Sequence, residues 1–237
     1  MAGHEDYCPI AVGVEVLGDR WTPLVIRELT VGASGFNEIH RGVPRMSRSL
    51  LSQRLRTLER QGLVQREPGP PGRPAAYTLT SAGQALSSVV WAMGHWAAEW
   101  AFGDPTDEDL DGLTLIWRMH QQVLPARLPS DRTVVHVQLT GLGGAEGWLD
   151  LDHGRVTVCK TDPGYDVDLA VLADTREMHR WLVGLAPFRE LVAQGHARLL
   201  GPTRLSRAFP GWFDTTYFAE SLRRGQRRRA EGSGLAS

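Results

Sequence analysis

The segment from Ser47 to Gly62 constrains the fold of this chain more than any other. Ser47 suits a helix N-cap and Gly62 a helix end, so the segment predicts a helix of about four turns. On such a helix Leu51, Leu55 and Leu58 form one narrow apolar stripe, with Leu50 and Arg54 on its flanks. The opposite side carries guanidinium, amide and hydroxyl groups, which can hydrogen-bond phosphates and base edges in a DNA major groove. We therefore expect a DNA-recognition helix; the alternative is an arginine-rich surface helix.

The neighbouring segments predict the other parts of a winged helix. Residues 22–40 have the caps and apolar periodicity of two short helices, and Pro44 forces a turn before the recognition helix. Downstream, residues 63–67 and 75–79 have strand patterns on either side of a stretch rich in Gly and Pro. Helix, turn, helix and hairpin in this order indicate a winged helix-turn-helix.

Charge is concentrated on this part of the chain. Between residues 41 and 73 there are eight arginines and two glutamates, a net of +6, although the whole chain carries only −1. A local basic patch is typical of a nucleic-acid site. Residues 103–222 hold 17 acidic and 11 basic residues, so we do not expect a second DNA-reading domain there.

Several ordered motifs resemble those of the HxlR-type winged-helix regulators, over about residues 8–101. They are Cys8-Pro9, Gly18-Asp19-Arg20-Trp21-Thr22, Phe36-Asn37-Glu38-Ile39, the Ser47–Val64 segment and Tyr77-x-Leu79-Thr80-x-x-Gly83. The resemblance implies a homodimeric, cytoplasmic, MarR-like transcription factor. Each recognition helix would enter a major groove of a pseudo-palindromic operator, with the wing in the flanking minor groove.

The same resemblance implies the residues that contact double-stranded DNA. These are Arg45, Ser47, Arg48, Ser49, Ser52, Gln53 and Arg56 in and before the recognition helix, and Arg73 in the wing. The wing, Pro-Gly-Pro-Pro-Gly with a single arginine, departs from the family pattern.

Two apolar segments predict a homodimer interface. A helix from about 81 to 101 is apolar over more than one face, and residues 9–17 are almost entirely apolar. Such surfaces need covering by a second copy of the chain or by the rest of the same chain. We expect the homodimer, largely because the family resemblance implies it.

The expected fold class is α+β in four segments. Residues 1–102 form the winged helix-turn-helix domain, 103–129 a connector helix and 130–222 a domain of sheet and helices, in which the apolar period changes to two. A tight turn at 152–154 predicts a hairpin there. The arginine-rich segment 223–237 is predicted to be a disordered tail.

The 130–222 segment resembles the sterol carrier protein 2-like fold through Gly184-x-x-Pro187, Gly195-x-x-x-Leu199-x-Gly201 and Phe209-Pro210-x-Trp212-Phe213. The resemblance implies an apolar cavity that would sense a small apolar or aromatic effector. The candidate lining residues are Trp117, His120, Val137, Trp148, Trp181, Phe188, Phe209 and Trp212. The alternative is that each aromatic residue is simply part of the core.

Other functions have little support in the sequence. The eight histidines lack metal-ligand spacing, and no nucleophile elbow, phosphate loop or dinucleotide motif is present, so we expect no metal, cofactor or enzyme activity. No apolar run is long enough to span a membrane. Cys8 leaves open a thiol redox sensor, and the second half leaves open a carrier or enzyme for an apolar molecule. The interpretation we favour is a ligand-responsive regulator that acts as a repressor, since a bound dimer can occlude a promoter unaided.

Overall fold

A computed structural model of the chain describes residues 7–69, 74–152 and 155–233. The chain divides into two compact units, Met1–Met93 and Gly94–Ser237. The division falls inside a helix, before the predicted boundary at residue 102. No helix in the described ranges is both long and apolar enough to cross a membrane.

The first unit has the predicted winged helix-turn-helix architecture. Its elements are α1 (Pro9–Leu17), α2 (Thr22–Thr30), α3 (Phe36–Gly42), α4 (Arg48–Arg60), β1 (Val64–Glu67), β2 (Ala76–Leu79) and the first part of α5 (Ser81–Trp100). β1 and β2 pair antiparallel, with Val64 opposite Leu79. The core lies between α2, α3 and α4 and includes Ile26, Ile39 and the predicted leucine stripe.

Side-chain caps determine where the helices of the first unit begin. Ser47 accepts a hydrogen bond from the Leu50 amide at 3.3 Å, as its N-cap role predicts. Thr22, at the start of the predicted segment 22–40, is the first residue of α2 and does not cap it. Thr22 is buried in the first turn, and the Asp19 carboxylate accepts its amide at 3.2 Å. An ionised carboxylate accepts backbone N–H groups more strongly than a hydroxyl does.

The second unit is an α+β layer whose sheet has the order β5-β4-β3-β6-β7. β3 and β6 are parallel and the other neighbours antiparallel. Its elements are α6 (Gly112–Gln121), β3 (Thr133–Thr140), β4 (Glu146–Asp152), β5 (Arg155–Cys159), β6 (Leu169–Asp174), α7 (Thr175–Leu182), α8 (Phe188–Ala193), β7 (Ala197–Leu200), α9 (Thr203–Ala208) and α10 (Ala219–Ser233). β4 and β5 pair antiparallel on either side of the predicted turn at 152–154, of which residues 153 and 154 lie outside the described ranges.

Segment 103–129 is part of this unit rather than a connector. The helix begins only at Gly112, and its Leu115, Ile116 and Met119 lie in the core of the second unit. The preceding acidic stretch is tied to α7, where Arg180 pairs with Asp104 at 3.0 Å. A polar composition suggested a linker, but opposite charges on α7 hold the segment in place.

The predicted disordered tail is also wrong for residues 223–233, which continue α10. Glu99 on α5 accepts Arg224 and Arg228, each at 2.7 Å. A Cβ at Gly225 would lie 2.5 Å from the Glu99 carbonyl oxygen, so glycine is what lets the two helices approach. The arginine run thus has a partner that its composition alone does not reveal.

Candidate nucleic-acid interface

The exposed face of α4 is the candidate nucleic-acid interface. Leu51, Leu55 and Leu58 are at most 1% exposed and anchor the helix in the core of the first unit. Because side chains recur at helical spacing, the opposite face points away from that core. It carries the predicted residues Ser49, Gln53 and Arg56, which are exposed, and Ser52, which is half-buried.

Hydroxyl groups organise the first half of this face. The Ser47 hydroxyl caps α4 and also lies 3.1 Å from the Ser49 hydroxyl. One turn on, Arg56 donates to the Ser52 hydroxyl at 3.4 Å. The helix therefore presents hydroxyl, amide and guanidinium groups side by side, which suits contacts to both phosphates and base edges.

Two further arginines of α4 contact other elements. Arg48 donates to the Asn37 side chain of α3 at 2.6 Å and lies over the Phe36 ring, 5.1 Å from its centroid. Arg54 pairs with Asp19 at 2.5 Å. Arg48 is exposed and can still reach DNA, but its position is set by α3.

Two predicted DNA contacts, Arg45 and Arg73, lie outside α4 and its N-cap. Arg45 is exposed in the turn that leads into α4. Arg73, the predicted wing contact, lies outside the described residues. The strands on either side of the wing are in place, since Glu67 pairs with Ala76.

The structure separates the eight candidate effector-binding residues into three groups. Val137, Trp181, Phe188, Phe209 and Trp212 lie together in the core between sheet and helices. In this group the ring centroids of Trp181 and Phe188 are 5.0 Å apart, and those of Phe209 and Trp212 are 5.7 Å apart. These aromatic residues pack on each other as core residues do.

The other three do not join that group. Trp117 and His120 stack at 4.8 Å on α6, and His120 bonds the Val156 carbonyl of strand β5. Trp148 stacks on His136 at 4.4 Å, on the sheet face opposite Val137. The prediction of one shared lining is therefore wrong for Trp148, because the alternation of side chains along a strand turns it away from the core.

Sequence reasoning missed the roles of Asp19 and Glu99. Asp19 lies in the Gly18-Asp19-Arg20-Trp21-Thr22 motif, and an acid before a helical segment is a capping signal. Glu99 lies in the last turn of the apolar helix α5, and no local pattern pairs it with arginines 125 and 129 positions away. Cys8 lies at the N-cap of α1 and is partly exposed.

Comparison with known proteins places the first unit in a family. The HxlR-like helix-turn-helix family model matches residues 16–104. The chain is 37% identical to the uncharacterized HTH-type transcriptional regulator YvaP of Bacillus subtilis, over 41% of this chain and 92% of YvaP. It is also 37% identical to the HTH-type transcriptional regulator YodB of Bacillus subtilis, over 42% of this chain and 89% of YodB.

A solved structure is also similar to part of this chain. The reduced form of the transcriptional regulator YodB from B. subtilis shares 35% identity over 40% of this chain and 96% of that chain, with a TM-score of 0.36. The sequence matches to YvaP and YodB cover nearly all of those relatives and less than half of this chain. The chain therefore belongs to the HxlR family of helix-turn-helix, DNA-binding transcriptional regulators.

Proposed function

We propose that the chain is a cytoplasmic repressor that binds a pseudo-palindromic operator as a homodimer. The observation that carries this proposal is the exposed face of α4, where Ser49, Gln53 and Arg56 stand clear of the core. Arg45, Ser47, Arg48 and Ser52 complete the surface, and Arg73 would extend it into the minor groove. A helix of this kind reads a major groove, while its basic residues neutralise phosphates.

Exposed apolar side chains support the homodimer. α1 has no buried residue, and its Ile10 and Val14 are 76% and 58% exposed. On α5, Val89, Met93, Trp96 and Trp100 are exposed and fall on one stripe at helical spacing. Water-exposed apolar surface of this kind is typical of a protein interface, and a second copy offers a matching surface by symmetry.

The dimer is tested by substitution on α1. Val14→Glu places a charge on the proposed interface and should increase the fraction of monomer in sedimentation or native mass measurements. Val192→Glu is the matched control, because Val192 is 45% exposed on α8 of the second unit. Equal behaviour of the two variants would argue against an interface on α1.

We further propose that the second unit is a sterol carrier protein 2-like module that senses an apolar or aromatic effector. Its five-stranded sheet with a core rich in aromatic residues supports this reading. The effector would enter among Val137, Trp181, Phe188, Phe209 and Trp212, with Trp117 and His120 as the other candidates. Native mass spectrometry of the purified protein would show both the oligomer and any co-purified small molecule.

DNA binding is tested by selecting duplexes from a random pool and measuring affinity against salt. A palindromic consensus and a steep loss of affinity with salt are expected. Failure to enrich any sequence would contradict the proposed function and favour a carrier or enzyme of apolar molecules.

A thiol switch is the second candidate, since Cys8 lies at the N-cap of α1 and is partly exposed. Peroxide should then release DNA from the wild type but not from Cys8→Ser.

A further inference from the structure

We propose that Asp19 and Arg54 form a positioning pair that fixes how α4 is presented to DNA. Asp19 lies in the turn between α1 and α2, and Arg54 lies in the middle of α4. The Arg54 Nη2 donates to Asp19 Oδ2 at 2.5 Å across 35 residues of sequence. The inference rests on the proposed function, because it assigns two side chains a role behind the same DNA-reading surface.

The Asp19 carboxylate bonds two elements at once. Its Oδ1 accepts the backbone N–H groups of Trp21 at 2.8 Å and Thr22 at 3.2 Å, which caps the first turn of α2. Its Oδ2 accepts Arg54. Charge-assisted bonds of this kind are short and directional. The position of α4 is therefore tied to the backbone at the start of α2.

Arg54 is placed to hold α4 rather than to contact DNA. Its side chain is 22% exposed and that of Asp19 is 31% exposed, and the Arg54 Nε atom is buried. Arg54 lies at the flank of the leucine stripe, whereas Gln53 and Arg56 are fully on the exposed face. The Asp19 carboxylate also neutralises the guanidinium charge of Arg54, which would otherwise attract a DNA phosphate.

The location of the pair gives it a specific consequence. α1 ends at Leu17, two residues before Asp19, and carries the apolar side chains that we assign to the dimer interface. The Asp19–Arg54 pair thus links the turn that follows α1, the proposed dimer helix, to the middle of α4, the proposed DNA-reading helix. A dimer recognises two half-sites at one separation only if each α4 keeps a constant angle to that interface. We expect the pair to set the preferred half-site spacing.

The test uses Asp19→Asn and Arg54→Met in the full chain. Asparagine keeps an oxygen that can cap α2 but loses the charge, and methionine keeps an unbranched apolar stem. Affinity is measured on the selected operator and on the same operator with one base pair added between the half-sites, a change of about 3.4 Å and a tenth of a turn. The wild type should discriminate by about tenfold or more and each variant by less than about threefold.

A purely electrostatic effect would change the DNA affinity of Asp19→Asn in the opposite direction. Asp19→Asn makes the chain more positive, so a pure charge effect would tighten binding to every DNA. The positioning role predicts weaker binding to the operator and unchanged binding to random DNA. If Arg54 instead contacted a phosphate, Arg54→Met would lower the salt slope by about 1; we expect that slope to stay the same.

The double variant and a control complete the experiment. Asp19→Asn with Arg54→Met should be no worse than either single change, because all three remove one interaction. Arg132→Met, which breaks the Arg132–Asp150 pair of the second unit, should leave spacing discrimination intact. Thermal melting shows whether each variant is folded at the assay temperature, and Arg54→Gln, which also removes the charge, replaces Arg54→Met if the latter is not folded.

The outcomes separate this inference from the proposed function. Wild-type discrimination in Asp19→Asn, with loss of all DNA binding in Arg54→Met, would overturn the positioning role and make Arg54 a DNA contact. If the wild-type chain selects no operator, it is the proposed function that fails.

Discussion

The arginines of α4 differ in whether their side chains are hydrogen-bonded to another element. Arg48 and Arg54 bond Asn37 and Asp19 on other elements, whereas Arg56 bonds Ser52, one turn away on the same helix. Under the proposed function we therefore expect base discrimination from Gln53 and Arg56, whose side chains are exposed and, among the described residues, are not hydrogen-bonded to another element.

We predict that Gln53→Ala and Arg56→Ala each reduce discrimination between the operator and random DNA. The expected loss is ~1–3 kcal/mol for each bidentate hydrogen bond to a base that is removed. The dimer should remain intact. Competition binding with both DNAs gives the measurement. Arg189→Ala is a matched control, since Arg189 is an exposed arginine on α8. Equal weakening on both DNAs would mean that the two side chains contact only phosphates.

A second prediction concerns His179 and pH. Burial lowers the pKa of His179 below its ordinary 6.5, and the carboxylates of Asp111 and Asp109 offset only part of that effect. The unfolded chain then binds the proton more readily than the folded chain. The stabilising effect of the neutral ring is present above the ordinary pKa and is lost as pH falls below it.

Urea unfolding of the wild type and His179→Gln at several pH values would measure this effect. The wild type should lose more stability than the variant between about pH 7.5 and 5.5. Parallel curves for the two proteins would show that His179 does not carry the pH dependence.

At the scale of elements, local sequence patterns predicted most helices and strands of the first unit. Elements that depend on long-range contacts could not be predicted in this way. The leucine stripe and Ser47 were enough to define α4, because both signals lie within the helix itself. α10 could not be predicted in the same way. Its arginine-rich composition predicts a disordered tail. The partner of its arginines, Glu99, lies on a helix more than a hundred residues earlier, so no local pattern reveals it.

The candidate sites show the same division. The exposed side of α4 follows from helical periodicity, so its residues could be chosen from the sequence. The effector residues could not, because aromatic content does not say which side of a sheet a ring occupies. Trp148 and Val137, for example, were both predicted to line the cavity but lie on opposite faces of the sheet.

We predict that Glu99→Gln loosens α10 selectively. The change removes the charge that pairs with Arg224 and Arg228, and Glu99 is only 17% exposed. Hydrogen exchange of residues 219–233 should accelerate while the strands of the sheet stay protected. Glu220→Gln is the control, since Glu220 is 75% exposed and pairs with Arg224 within the same helix. If exchange changes equally in both variants, Glu99 does not anchor α10.

At the scale of the whole molecule, regulation requires that an effector favour one arrangement of the two recognition helices. The core of the first unit is built from residues up to Val90, so that unit carries its own hydrophobic core. The proposed effector site belongs to the second unit. DNA binding and response to effector should therefore be separable.

We predict that a chain ending near residue 103 dimerises and binds the operator but no longer responds to the effector. In the full chain, an apolar aromatic compound should quench tryptophan fluorescence and shift operator affinity by ~1–3 kcal/mol. Titrating a panel of such compounds against both chains makes the comparison. A shortened chain with the full response would place the sensor in the first unit, near Cys8 or the α1 surface.

The contact between Glu99 and α10 also bears on how the protein is made. α5 leaves the ribosome before the sheet has been synthesised, and its partner arginines follow 125 and 129 residues later. At about 5–20 residues per second, the Glu99 side of α5 waits roughly 6–25 s for that partner. During this time the nascent winged-helix unit can fold, while the surface that α10 will cover stays open to chaperones and proteases. A product that stops before α10 would keep that surface open.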